Sequence, residues 1–479
     1  MNPLEASATD LAHAIRTGVT SSREVVAAHI AVLQHAQPRT NALAQDRFER
    51  AMADAEAADA QVAAGGSLPP LLGVPCTIKE SFALEGMPNC AGVVARSGFR
   101  ATSNATVVQR VLDAGAIPLG VTNTSELCMW IESENRVYGR TSNAYDPSRI
   151  AGGSSGGEGA AIGSGGAPFG LGSDVGGSIR LPAFFNGVFG HKATPGLVPN
   201  TGEYPSGASE GGRLLSKGPL TRRATDLMPL LRLIAGPDGT DTFVQDFELG
   251  DPTAVKLDGL QVLISEDFTR VPVSREMLRA RDRAAQALAD QGASIRRTSM
   301  RGLREVMALY LAVVEDVSEQ SLQEVLVEAG SAPMTWRSFL ERQSPHTVTT
   351  RLVLLGERLA TRRTKAATAR ALATGRALAE ETAATLGDGI LLHPSYFTAA
   401  PRHGRTVGRL WSAAPTAAFN LLGLPVTQVP LGLNRNSLPL GVQVVAAPFQ
   451  DHRTIAVAMA LEATFGGWTP PRLALRDAA

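Results

Sequence analysis

The chain has only three cysteines in 479 residues, no excess charge of either sign, and no continuous apolar stretch in its opening segment. Each shortage removes a class of protein. Cys76, Cys90 and Cys128 are too few and too irregularly spaced for a disulfide framework or a zinc site, and read as small buried hydrophobes in a reducing compartment. The 45 Lys and Arg balance the 45 Asp and Glu, so no global field draws the protein onto phosphate backbones, and nucleic acid is not an expected partner. The opening MNPLEASATDLAHAIRTGVTSSREVV mixes acids with apolar residues, unlike a secretory signal or a membrane span. A cytoplasmic protein with no integral membrane segment is expected. The one basic run, Arg358 to Arg376, fits a solvated helix face better than a lipid-binding or partner-binding patch.

What is present is an ordinary globular composition, 44% apolar and 19% charged, able to bury a substantial core. No repeat or long linker divides it, so a single domain over 1–479 is expected, opening with a helical lead-in over about 1–65. Within the lead-in, Ser21 and Ser22 can cap a helix from Arg23 to Leu33, and Asn41 can precede another from Ala42 to Ala64. A core over about 70–235 follows. In it the apolar runs Leu71 to Ile78 and Ile117 to Val121 bracket a helix from Thr106 to Ala114, and a helix from Ala224 to Ala235 closes it. Leu260 to Ser265 resumes the strands, Ser274 to Gly292 reads as a helix, and Arg301 to Leu386 is almost wholly helical with breaks at Pro333 and Pro345. Strands return at Ile390 to His393, Val426 to Pro430 and Gly441 to Ala446. The pattern is α/β, one sheet interrupted by a helical insertion at about 301–386.

The densest signal is Gly152 to Gly190, GGSSGGEGAAIGSGGAPFGLGSDVGGSIRLPAFFNGVFG, which sets Ser154 and Ser178 in separate glycine-rich turns. Such turns can aim backbone N–H groups at an anion. Behind Ser178, the run Asp174-Val175-Gly176-Gly177 can supply an oxyanion hole for a serine nucleophile. It can equally be a tight loop whose serine caps the next helix. Ser154 and Ser155 satisfy G-x-S-x-G in both registers, yet Asp146-Pro-Ser-Arg-Ile-Ala before them is not strand-like, and nothing marks His393, His403 or His452 as a base. Lys79 ends the apolar run GVPCTIK. A lysine drawn inward resists charging and can act as a base, although a surface lysine closing a strand explains that position alone.

Taken together, the fragments resemble the amidase signature family, in its fatty-acid amide hydrolase branch of the second vertebrate type. The resemblance runs through GVPCTIKESFALEGMP (Gly73 to Pro88), TNTSELCMWIESENRVYGRTSNAYD (Thr122 to Asp146), GHKATPGLVPNTGEYP (Gly190 to Pro205) and LGLPVTQVPLGLNRNSLPLGVQVVAAPFQDH (Leu422 to His452). It implies an α/β/α sandwich around a mixed central sheet. It implies Ser178 as nucleophile, Ser154 as bridging serine, Lys79 as base, and an oxyanion hole from the N–H groups of Val175, Gly176, Gly177 and Ser178. A cis Gly153-Ser154 peptide is also implied, with Ser155 orienting Lys79, Asp174 and Arg180 bracing the loop, and Cys128, Met129 and Trp130 beside the acyl pocket. The implied activity is hydrolysis of aryl or fatty acylamides, extending to carbamates and esters, on a small-molecule substrate and with neither metal nor organic cofactor. A homodimer is compatible with this reading. Two alternatives stand beside it. The glutaminase subunit of a tRNA-dependent amidotransferase is opposed by GHKATPGLVPNTGEYP and by Glu80-Ser81, and an inactive binding protein by the retention of all three catalytic residue types.

Overall fold

The computed structural model describes residues 1–206, 214–318, 320–335, 338–339, 341, 343–360 and 365–471. Thirteen strands are found among them: β1 (Leu43–Asp46), β2 (Pro75–Lys79), β3 (Ile117–Thr122), β4 (Glu134–Asn135), β5 (Gly139–Arg140), β6 (Phe169–Asp174), β7 (Phe189–Lys192), β8 (Ser216–Thr221), β9 (Gln261–Glu266), β10 (Ser294–Ser299), β11 (Ile390–Pro394), β12 (Val426–Leu433) and β13 (Pro439–Val445). Eleven of these make one sheet in the order β1-β3-β2-β6-β8-β7-β12-β13-β11-β9-β10, while β4 and β5 form a separate small ribbon. The large sheet is mixed. Strand β2 runs parallel to both β3 and β6, and β9 runs parallel to β10 and β11, whereas the middle of the sheet is antiparallel.

Strands β2, β3, β6, β7, β8, β11 and β13 are buried at every position. Helices therefore cover both of their faces, which is why these strands read as apolar or small-residue runs rather than as alternations. The edge strand β10, SIRRTS, is exposed along most of its length, and Arg296 and Arg297 discourage pairing with another chain. Strand β6, FGLGSD, carries glycines for a different reason. A side chain at Gly170 would run into the carboxylate of Glu158 on the neighbouring helix Gly156–Gly163.

The lead-in departs from its sequence pattern in one instructive place. A helix spans Ser22–Thr40, with a capping box between Ser21 and Glu24. Asn41, expected to start the next helix, instead ends this one in the left-handed conformation, at φ 47°. Its side chain donates to Tyr138 O at 2.7 Å. Leu43–Asp46 then pair with β3, and the following helix begins only at Phe48. A helix at Ala8–Arg16 precedes both.

The insertion contains helices Val306–Val317, Leu322–Glu328, Val348–Ala360 and Lys365–Leu386. Part of the basic run from Arg358 to Arg376 lies outside the described residues, at 361–364; within the rest, Arg370 and Arg376 are exposed, whereas Arg358 is half-buried and donates to Gln323 Oε1 at 2.7 Å. Among the described residues, no helix is long and apolar enough to cross a membrane.

One buried carboxylate ties the lead-in to the core. Asp226 accepts from Ala8 N (2.7 Å), Thr9 N (3.0 Å) and Thr9 Oγ1 (2.6 Å), closing the start of the Ala8–Arg16 helix. Asp226→Ala is expected to lower stability by about 1–3 kcal/mol, the cost of unmaking such a cap. The measurement is the urea midpoint, and an unchanged midpoint would count against the assigned role.

Candidate active site

The parallel pairing of β2 with β6 brings the end of one strand beside the end of the other. Lys79 closes β2, and its Nζ, fully buried, lies 2.8 Å from Ser154 Oγ and 2.8 Å from Ser173 Oγ. Ser173 was not singled out in the sequence. Its only signal is its place one residue before Asp174 at the end of a strand that the glycines conceal. Ser154 follows Gly153 across a cis peptide bond, as the resemblance implied. Its carbonyl is held by Thr124 Oγ1 (2.9 Å) and Ser133 Oγ (2.8 Å). Gly153 must lack a side chain, because a Cβ there would stand 2.5 Å from Trp130 O. Ser155, expected to orient Lys79, donates instead to Ser173 O at 3.4 Å through its hydroxyl. Its N–H donates to Ser178 O at 3.2 Å, which joins the two serine turns.

The Ser178 loop is built around Asp174. This carboxylate accepts from Gly177 N (2.8 Å) and Ile179 N (3.0 Å), and from Arg180 Nε (3.0 Å) and Nη2 (2.8 Å). Burial would raise the Asp174 carboxyl, but the Arg180 guanidinium outweighs it and holds the group well below the usual carboxylate range. Because Asp174 takes the first N–H groups of the helix Arg180–Phe185, which has no capping bond from the residue before it, the capping role open to Ser178 is already filled.

The loop carbonyls are tied from outside. Tyr310 Oη donates to Val175 O at 2.9 Å and Thr416 Oγ1 to Gly176 O at 2.7 Å. In a trans peptide the N–H points opposite to the C=O, so fixing the Val175 carbonyl turns the Gly176 N–H the other way. Among the described residues, the N–H groups of Val175, Gly176 and Ser178 meet no protein acceptor, whereas that of Gly177 is committed to Asp174. Ser178 is 9% exposed, against 0% for Lys79 and 1% for Ser154, so it is the most accessible of the three.

The segment Cys128 to Trp130 lies against this centre. The carbonyl of Trp130 packs on Gly153, the Trp130 indole donates to Thr406 Oγ1 at 2.9 Å, and Cys128 Sγ is 3.4 Å from Thr124 Oγ1. Leu127 and Cys128 are both left-handed, at φ 55° and 58°. None of the three downstream histidines joins Lys79. His393 is buried against Ser265 Oγ at 2.9 Å, with burial pressing it down to about 3; His403 contacts Pro147 O at 3.0 Å, and His452 packs beside Gly250. No group of three His, Cys, Asp or Glu among the described residues is placed to hold a metal ion.

A profile of the amidase family matches residues 24–455. The chain belongs to the amidase signature family. It is similar to fatty-acid amide hydrolase 2-B of Danio rerio, 41% identical with 98% of this chain and 91% of the relative covered. The human fatty-acid amide hydrolase 2 is 40% identical, with 97% and 90% covered. Among solved structures, 6-aminohexanoate cyclic dimer hydrolase in complex with substrate superposes at a TM-score of 0.84, with 26% identity, over 98% of this chain and 99% of the other. This amidase is thus an amide hydrolase of the fatty-acid amide hydrolase-like kind.

A second buried carboxyl lies near its lysine. Glu158 accepts from Thr77 Oγ1 (2.6 Å) and Thr122 Oγ1 (2.8 Å). Burial pushes it from 4.5 up to about 8, against the opposing pull of both hydroxyls and of Lys79. Folded protein therefore binds a proton there that unfolded protein releases, and stability from this group falls as pH rises from about 4.5 to 8. Glu158→Gln, which cannot ionise, is expected to lose less urea resistance than the wild type between pH 5 and pH 8. Equal losses in the two proteins would show that Glu158 is charged throughout.

Proposed function

We propose that this amidase hydrolyses amides of apolar acids, aryl acylamides and fatty acylamides, through an acyl-enzyme on Ser178, with carbamates and esters as further substrates. The observation that carries the reading is the buried Lys79 nitrogen 2.8 Å from Ser154 Oγ, together with a Ser178 loop in which the N–H groups of Val175, Gly176 and Ser178 meet no acceptor among the described residues. The relatives' activity toward fatty-acid amides supports the same class of substrate.

Lys79, in its neutral form, accepts a proton from Ser154 as Ser154 takes one from Ser178. The freed Ser178 oxygen bonds to the substrate carbonyl carbon, and the electron pair of the C=O moves onto oxygen. The N–H groups of Val175, Gly176 and Ser178 receive that charge, with the Gly177 N–H shared with Asp174; donors fixed before reaction need no reorganisation. Ser154 then returns a proton to the leaving nitrogen as the C–N bond breaks, and Lys79 resupplies Ser154. Water attacks the ester by the reverse relay, releasing the acid and restoring Ser178. Aryl esters present the same acyl carbon with a different leaving group, whereas a carbamate, its carbonyl flanked by oxygen and nitrogen, would leave a carbamoyl or alkoxycarbonyl group on Ser178 for water to remove. Cys128, Met129 and Trp130 supply soft, apolar surface for the acyl portion.

Purified protein should hydrolyse anilides, fatty acylamides, aryl carbamates and aryl esters while leaving glutamine intact. Ser178→Ala is expected to lower kcat by about a thousandfold or more, with comparable losses in Lys79→Ala and Ser154→Ala, as befits residues that act as one unit. Undiminished turnover in Ser178→Ala would sink the mechanism.

A further inference from the structure

Besides Tyr310, the insertion meets the site's surroundings through a buried carboxylate that the mechanism leaves unused. Glu126 belongs to the core, two residues before Cys128, and is 2% exposed. It accepts from three groups of the insertion: His346 Nδ1 at 2.6 Å, Thr347 N at 2.8 Å and Thr350 Oγ1 at 2.7 Å. Its negative charge thus sits at the start of the helix Val348–Ala360, where unpaired N–H groups favour an anion. Nothing in the sequence pattern links residues 126 and 346, which lie 220 positions apart.

The turn that follows Glu126 is unusual. Leu127 and Cys128 are consecutive left-handed residues and neither is glycine, a conformation that persists only where the surroundings hold it. On one side, Leu127 N donates to Ala91 O at 2.8 Å, and Trp130 N to Ser125 Oγ at 3.2 Å. On the other, the Leu127 side chain enters a small core with Leu326, Met334 and Leu354 of the insertion, and Met129 packs against it. The turn therefore faces two ways. Its outer side is fastened to the insertion, while its inner side meets Thr124 and Gly153, the residues against which Ser154 is set.

We propose that the helical insertion is a cap latched to the acyl-pocket wall by Glu126, and that the Glu126 contact with His346 sets which acyl groups reach Ser178. Glu126 and His346 are positioning residues. They hold Leu127 to Trp130 in place and touch neither the nucleophile nor its relay. Loosening the latch lets the wall relax, which matters little to a short acyl group and much to a long one that must lie along it. The acyl-selection half of this proposal rests on Ser178 being the acylated residue.

The test uses the full chain with two alkyl fluorophosphonates, ethyl and dodecyl, as probes of Ser178. In His346→Ala the ratio of dodecyl to ethyl labelling rates is expected to fall about tenfold, the scale of one lost hydrogen bond to a charged group. The ethyl rate itself stays near the wild-type value, and His346→Gln, which keeps a donor, restores most of the ratio. Hydrogen exchange should show 126–130 and 322–328 losing protection together in His346→Ala, with the helix Gly156–Gly163 unchanged. Equal slowing of both probes, or an unchanged ratio despite a loosened cap, overturns the selectivity claim; unchanged exchange overturns the latch. If the wild type is labelled by neither probe, the Ser178 reading fails and takes the selectivity claim with it, while exchange still decides the latch.

Discussion

The geometry of this site hangs on the ion pair between Asp174 and Arg180, a carboxylate and a guanidinium that are both fully buried. Two charges removed from water are costly unless nearly every donor and acceptor is satisfied. Here they are. Arg180 makes two bonds to Asp174 and spends its remaining donors on Thr416 O (2.9 Å), Gln443 Oε1 (2.8 Å) and Asn420 Oδ1 (2.6 Å). Asn420 Nδ2 in turn donates to Asp174 Oδ1 at 3.0 Å. Those partners lie more than 230 residues further along the chain, so the shape of the Ser178 loop depends on the docking of β13 and the helix Ala414–Leu421 against it.

That dependence explains the state of the loop backbone. A loop with free carbonyls could rotate its peptides and point its N–H groups anywhere. With Val175 O held by Tyr310 and Gly176 O by Thr416, the peptides cannot turn without breaking a bond. The donors are therefore oriented by the fold itself, which under the proposed mechanism leaves no reorganisation for the moment when charge develops on a substrate. Tyr310 belongs to the insertion and Thr416 to the late helix, so three separate stretches of chain meet at a loop of five residues.

Parts of this were legible in the residues alone, and the rest failed for identifiable reasons. The place of Lys79 at the end of an apolar run left burial and a surface position both open, while the long apolar strands β2, β3, β11, β12 and β13 were all anticipated, though with shifted ends. Strands β6, β7 and β8 were not, because FGLGSD, FGHK and SKGPLT carry glycine, proline or lysine where a strand signal wants branched residues. Missing β6 hid Ser173. The choice between nucleophile and helix cap at Ser178 stayed even because the competing cap, Asp174, acts across a turn that no periodicity marks. Asn41 misled for a related reason, since the same residue type serves both ends of a helix and only its φ tells which. The proposed catalytic roles came from family resemblance, not from pattern.

The centre relies on polar contacts where apolar packing would have sufficed to stabilise it, and the difference lies in direction. Apolar burial depends on area and tolerates a side chain sliding or turning by some tenths of an ångström. A hydrogen bond loses strength steeply when misaligned, so each one fixes an angle as well as a distance. The proposed relay from Ser178 through Ser154 to Lys79 would need its atoms closely aligned and several N–H groups converging on one oxygen, and a misplacement of about 1 Å is enough to cost catalysis heavily. The apolar residues of the early helices and sheet faces can hold the molecule together without meeting that standard. The Asp174, Thr124 and Ser133 contacts meet it, and they are concentrated where the serines turn. The same logic applies to Glu126, a carboxylate that fixes the insertion against the segment Leu127 to Trp130 by directed contacts.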